Sequence, residues 1–252
     1  MRDGVPEDLL DQADVVFHLI STTKPGNRDV RKEFETNVIP TIGLLEACAV
    51  RGIRLVYFSS GGTVYGIPKY IPLDEGHETE PISAYGIQKL SIEKCIEYYG
   101  RMNGLDYSIL RIANPYGRFQ DPESQQGVIA VFMAHALAGE KIEIWGDGSS
   151  VRDYVYVDDV MDACCRLLEY HGDCHTFNIG SGTGHSLQQI VRMIEEDLGR
   201  AVDIRYLPSR RQDVPSNVLD CRLAGRELGW HPATELAEGI HRMHEMWESK
   251  RQ

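Results

Sequence analysis

Tyr85 and Lys89 stand four residues apart in a stretch, Ala84 to about Asn103, whose apolar spacing predicts a helix. On a helix that spacing brings both side chains to one face, where they can converge on one ligand. The chemistry open to such a pair is proton transfer. A phenol titrates at about 10 when unassisted, and a neighbouring ammonium favours the phenolate, bringing it toward the range in which it can act as a base. Tyr65 and Lys69 repeat the spacing, but Gly66 and Pro68 between them forbid a regular helix, so only the Tyr85 pair has the right local context.

The elements around this pair follow from periodicity. Asp14 to Ile20 and Ile53 to Ser59 are short β-branched runs separated by a helix-length pattern from about Val30 to Val50, which is a βαβ unit. The helix carrying Tyr85 leads to a further strand, Tyr107 to Ile112. This alternation predicts an α/β fold with a parallel sheet covered on both faces. Strands are expected at Val155 to Val157 and Thr176 to Ile179, with a helix over Asp159 to Glu169 between them. Ser186 and Gln189 form a capping box for a helix reaching about Leu198. Beyond Arg200 the chain turns to short elements and ends in a helix near Leu236 to Glu248. The expected division is a core over residues 1–120 and a mixed region over 121–252 that adds late core elements and a smaller C-terminal lobe.

Composition narrows the function classes. The 252 residues are 42% hydrophobic and 25% charged, ordinary for a globular enzyme, and no apolar run approaches the roughly 20 residues of a membrane helix. A formal charge of −12 argues against nucleic-acid binding, which needs concentrated Lys and Arg. The six cysteines lack the paired spacing of a zinc site or the density of a disulfide scaffold, so no metal is expected and the thiols read as those of a cytoplasmic protein.

The ordered series IRLVYFSS, GGTVYG, SAYGIQK, LRIANPYG, WGDGSSVRDYVYVDDV and FNIGSG resembles the nucleotide-sugar epimerases and dehydratases of the extended short-chain dehydrogenase/reductase family, also called the NAD-dependent epimerase/dehydratase family. It spans essentially the whole chain and is most like the UDP-glucose 4-epimerases. The resemblance implies a Rossmann-like doubly wound sheet, NAD as cofactor, Tyr85 as catalytic base, and Lys89 as its partner and holder of the nicotinamide ribose. Further cofactor contacts are implied at His18, Leu19, Ile20, Asn37 and Ser59; His18 taken alone reads as a satisfied core histidine. Substrate contacts are implied at Asn114 and Arg152 around the diphosphate, and at Arg210, with which Arg211 competes, and Asp213 around the nucleotide.

One position departs from the family pattern. The family's Ser or Thr three residues before the VYG valine is replaced by Gly61, leaving Ser60 and Thr63 as candidate substitutes, Thr63 the favoured one. The Thr-Asp-Glu run of the family's dehydratases is absent at the same place, which favours epimerisation. Glu93 and Asp74 read as surface carboxylates.

A dinucleotide fold opens with a strand and a Gly-rich turn against the pyrophosphate, and nothing of the kind precedes Asp14. The cluster from Gly180 to Gly184 lacks the spacing and reads as a strand-to-helix turn. By comparison with the usual fingerprint, roughly 55 to 65 residues of the fold are expected to be missing, so that the sheet lacks its first strands and Asp14 to Ile20 forms an uncovered edge. The expectation is therefore NAD-dependent 4-epimerisation of a nucleotide sugar, a UDP-sugar favoured, with activity conditional on the absent segment, and a possible homodimer. A nucleotide-sugar reductase or dehydratase, and a fragment that binds a nucleotide sugar or partner chain without turnover, stand as alternatives.

Overall fold

The structure is a computed structural model that describes residues 7–23, 26–121, 126–209 and 214–249. In chain order its elements are α1 (Glu7–Leu10), β1 (Val15–His18), α2 (Val30–Glu33), a π-turn (Phe34–Val38), α3 (Ile39–Arg51), β2 (Arg54–Ser60), α4 (Ala84–Asn103), β3 (Tyr107–Ile112), β4 (Asn114–Tyr116), α5 (Val128–Ala138) and β5 (Ile142–Trp145). There follow β6 (Val151–Tyr156), α6 (Val157–Leu168), β7 (Thr176–Ile179), β8 (Gly184–Ser186), α7 (Leu187–Leu198), β9 (Ile204–Leu207), β10 (Ser216–Asn217), α8 (Arg222–Leu228) and α9 (Leu236–Ser249). The chain divides into two units, one of Met1–Ile67, Glu75–Ile112 and Asp173–Asn178, the other of Pro68–Asp74, Ala113–Gly172 and Ile179–Gln252.

The first unit is built on the sheet β1-β2-β3-β7, in which β1 to β3 run parallel. Leu55, Tyr57 and Ile109 from the strands meet Leu44, Leu45 and Cys48 from α3 and Ile92 and Ile96 from α4 in one buried core. Among the described residues β1 has a strand partner on one side only. It stops at His18, two residues short of the expected end, and Leu19 and Ile20 beyond it are 56% and 52% exposed.

The helix expected from Val30 to Val50 is in fact interrupted. Pro40 has no N–H to offer the carbonyl one turn back, and the residues before it widen into the π-turn, closed by the Ile39 N–H on the Phe34 carbonyl. A π-turn of this sort displaces one residue from the regular helical face, and this one carries Asn37. The helix α4 starts where Ser83 accepts the Gly86 N–H and ends at Gly104, whose φ of 68° suits glycine.

In the second unit β10, β6 and β4 form a parallel sheet, β8 pairs antiparallel with β6, and β5 pairs with β9. Helices α5, α7 and α9 bury Met133, Ile190, Ile194, Ile240 and Met243 against Tyr116, Ile144 and Tyr154. The strand expected at Val155 to Val157 begins four residues earlier and passes directly into α6. Pairing with neighbours on both edges makes a strand of Val151 to Tyr154, which no alternation of apolar residues announces. The capping box of Ser186 and Gln189 forms as expected. Among the described residues no helix is long and apolar enough to cross a membrane.

Candidate active site

Tyr85 and Lys89 lie one turn apart in the first half of α4. Lys89 is only 3% exposed. Its Nζ donates to the Phe58 carbonyl at 2.7 Å and lies 4.9 Å from the centre of the Tyr57 ring and 5.7 Å from that of Tyr85. Burial lowers the ammonium to about 8, against the pull of the Glu93 and Glu33 carboxylates, which favour the charge. The Tyr85 phenol is pushed up to about 12, first by burial and then by Glu33. Burial and the Glu33 carboxylate thus act on the phenol in the direction opposite to that expected of Lys89, whose ammonium stands 5.7 Å from the ring centre.

The end of β2 supplies the hydroxyls. Ser59 donates to Glu93 and is thereby tied to the interior. The Gly61 N–H donates to the Ile112 carbonyl at 2.8 Å, and the Thr63 and Val64 N–H groups both reach the Ser60 carbonyl, at 3.2 and 3.1 Å, so the strand ends in a tight turn. A methyl group at Gly86 would stand 2.8 Å from the Thr63 carbonyl; the absence of a side chain there lets this turn press against the first turn of α4, beside Tyr85. Thr63 Oγ1 is buried with no hydrogen-bond partner among the described residues, a costly state for a hydroxyl, while Ser60 is half-buried.

Glu93 is not a surface carboxylate. It is fully buried and receives Ser59 and, at 3.2 and 2.8 Å, the Nε and Nη2 of Arg111. Arg111 also reaches the Tyr65 hydroxyl at 3.1 Å, and Tyr65 donates to Asn178 at 2.6 Å. This network ties β2, β3, β7 and α4 together beneath the Tyr85–Lys89 pair. An isolated sequence position on an amphipathic helix gives no hint of it, because the partner arginine lies 18 residues away.

His18 is buried, with Nε2 2.9 Å from Thr41 Oγ1. Thr41 donates its only hydroxyl proton to the Asn37 carbonyl at 2.6 Å, so His18 donates from Nε2 and keeps a lone pair on Nδ1. Burial and then Lys89 lower it to about 4, which makes it a neutral, satisfied core histidine. Asn37 links the loop after β1 to α2, accepting the Thr22 N–H at 2.8 Å and donating to Glu33 at 3.2 Å. Glu33, absent from the sequence-based candidates, is wholly buried. In the charged run RDVRKEFE nothing marks it off from solvated neighbours.

In the second unit Asn114 and Arg152 occupy adjacent strands, β4 and β6. Asn114 Nδ2 donates to the Asp153 carbonyl and Arg152 Nη1 to the Val151 carbonyl, both at 2.8 Å. Between them Asp153 turns inward, fully buried, and accepts from the Ser181, Gly182 and Leu219 N–H groups and the Ser181 hydroxyl at 2.7 to 3.2 Å. A methyl at Gly180 would stand 2.5 Å from the Asp153 carboxylate. The glycine cluster is thus a turn closed around an internal carboxylate, and not a phosphate cradle. Arg210 and Asp213 lie outside the described residues.

The nicotinamide end of a dinucleotide fits what Lys89 offers. One of its three N–H donors goes to Phe58, and a buried ammonium whose other two have no hydrogen-bond acceptor among the described residues suits the two hydroxyls of a ribose.

Residues 4–180 match the model of the NAD dependent epimerase/dehydratase family. The UDP-glucose 4-epimerase of Mycolicibacterium smegmatis is 37% identical over 242 residues, covering 95% of this chain and 77% of the relative. Among solved structures, UDP-glucose 4-epimerase from Thermotoga maritima with UDP-glucose superposes with a TM-score of 0.92 at 37% identity, over 98% of this chain and 82% of that one. The Thermus thermophilus UDP-glucose 4-epimerase in complex with NAD gives 0.84 at 29%, over 96% and 82%.

Proposed function

We infer the reaction from one premise: the chain belongs to the NAD-dependent epimerase/dehydratase family. It is an enzyme that epimerises a nucleotide sugar, with NAD as its cofactor. NAD, when bound, supplies a place to store the hydride of the reacting carbon. Tyr85 takes the proton of the sugar hydroxyl and returns it to the same oxygen once the configuration at that carbon is inverted. Lys89, anchored on the Phe58 carbonyl, faces the phenol with a positive charge that stabilises the phenolate as it forms. The hydroxyl of Thr63 hydrogen-bonds the reacting oxygen, in place of the hydroxyl that Gly61 lacks. On the cofactor side Lys89, His18 with Leu19 and Ile20, Asn37 and Ser59 line the nicotinamide and adenosine ends; Asn114, Arg152, Arg210 and Asp213 serve the UDP moiety.

The observation that carries this reading is the half-buried Tyr85 and the buried Lys89 one turn apart on α4, beside the Thr63 turn. The substrate we favour is UDP-glucose, on the strength of relatives similar to this chain over most of its length. We also propose a cytoplasmic setting and a homodimer. The test is conversion of UDP-glucose to UDP-galactose with catalytic NAD, which Tyr85→Phe should abolish. Consumption of one reduced cofactor per turnover would overturn epimerisation in favour of a reductase.

A further inference from the structure

Thr63 Oγ1 has no hydrogen-bond partner among the described residues, so its place is set by the backbone of its turn and not by a bond of its own. That backbone is held at both ends. The Thr63 and Val64 N–H groups reach the Ser60 carbonyl, and Gly66, at a φ of 70°, lies so close to Glu80 that a methyl group there would stand 1.9 Å from the Glu80 carbonyl. Between these ends one side chain roots the turn in the interior. Tyr65, two residues after Thr63, donates its hydroxyl to Asn178 Oδ1 of β7 at 2.6 Å and accepts Arg111 Nη1 of β3 at 3.1 Å. Tyr65, Arg111 and Asn178 are all buried, out of reach of competing water.

The same guanidinium roots the helix that carries Tyr85. Arg111 Nε and Nη2 hold the Glu93 carboxylate at 3.2 and 2.8 Å, and Glu93 stands on α4 two turns beyond Tyr85. A guanidinium is a planar fork whose donors keep fixed directions. Gripping Tyr65 by one arm and Glu93 by the other, it fixes the turn against the helix, at the place where Gly86 lets them touch.

We propose that Tyr65 is a positioning residue, which through the Arg111 fork holds the Thr63 hydroxyl in register with the Tyr85 phenol. The proposal rests on the reading of Thr63 and Tyr85 as the groups that meet the reacting oxygen. Two groups converging on one atom tolerate little displacement: a misplacement of about 1 Å costs on the order of 100-fold in rate. Substrate binding is spread over other residues, so the role appears in kcat and not in KM.

A double-mutant cycle on the full chain tests it. Tyr65→Phe keeps the ring, and with it the Arg111 guanidinium 5.0 Å from the ring centre, but removes the hydroxyl. It should lower kcat for UDP-glucose by about 10-fold and leave KM within about 2-fold. In a Thr63→Val background the same change should cost about 2-fold or less, because a hydroxyl already removed cannot be misplaced; a merely structural role costs the same factor in both backgrounds. Arg111→Lys, which keeps a cation for Glu93 and loses the fork, should show the same dependence on Thr63. A further readout needs neither cofactor nor turnover. With threonine labelled at its methyl carbon, the Thr63 signal, identified by its absence in Thr63→Val, should shift or broaden in Tyr65→Phe. It should stay in place in Tyr99→Phe, which frees a phenol hydroxyl from Glu46 elsewhere on α4. Undiminished kcat in Tyr65→Phe, an equal loss in both backgrounds, or an unmoved Thr63 signal overturns the proposal. Full activity of Thr63→Val would instead overturn the assignment of Thr63 on which it rests.

Discussion

Lys89→Met should make the fold more stable while it removes activity. In the unfolded chain the ammonium titrates at its ordinary 10.5, and in the fold at about 8. Below pH 8 both states carry the charge, and the full penalty of burying it is felt, about 3 kcal/mol at pH 7 by linkage. Between 8 and 10.5 the folded state sheds its proton first and the penalty shrinks; above 10.5 both states are neutral and it vanishes. Methionine fills a similar volume without the charge but leaves the Phe58 carbonyl without its donor, a loss of about 1 kcal/mol. The net gain at pH 7 is therefore about 2 kcal/mol. Urea denaturation of both proteins, followed by circular dichroism at pH 7 and about 9.5, measures it. Taking the variant against the wild type cancels the tyrosines, which titrate in both. The advantage should shrink by about 2 kcal/mol at the higher pH and all but disappear. A variant less stable than the wild type at pH 7, or an advantage independent of pH, would refute the reasoning that Lys89 is held in the fold at an energetic cost which only function explains.

Thr63→Val should hold or raise stability, by about 1 kcal/mol, because the hydroxyl it removes is buried and bonds to no described residue, yet lower turnover of UDP-glucose by about 10-fold to 100-fold; equal activity would return the role to Ser60. Arg111→Met strands the buried Glu93 carboxylate and should cost about 3 to 5 kcal/mol in a chemical denaturation curve. Asp153→Ala leaves the N–H groups of Ser181, Gly182 and Leu219 without their acceptor, at about 1 to 3 kcal/mol each, and thermal unfolding should show a variant that is barely folded at room temperature.

Local pattern carried the framework because the groups that set it are near one another in sequence. Ser83 and Gly104 bracket α4 as caps, and the helix expected from Ala84 to about Asn103 forms over that stretch; Tyr107 to Ile112 and Thr176 to Ile179 form the strands their β-branched residues announce. The proposed catalytic pair was legible for the same reason, since four residues of helix fix Tyr85 against Lys89. What escaped depends on separation. Glu93 reads as exposed because Arg111, on the following strand β3, is what makes its burial in α4 tolerable. The π-turn interrupts an unbroken apolar period, and only the missing N–H of Pro40 hints at it. Asp153 sits in a run read for its arginine, and the turn at Gly180 that shelters it comes 27 residues later. Glu33 is the extreme case. Its charge is the commonest reason to place a residue in water, and the donors that reverse that judgement, Thr23, Asn27 and Asn37, are polar residues of the sort that ordinarily mark a loop. Sequence reasoning sorts side chains by their preference for water, and partners that only the fold brings together have denied it to Glu33.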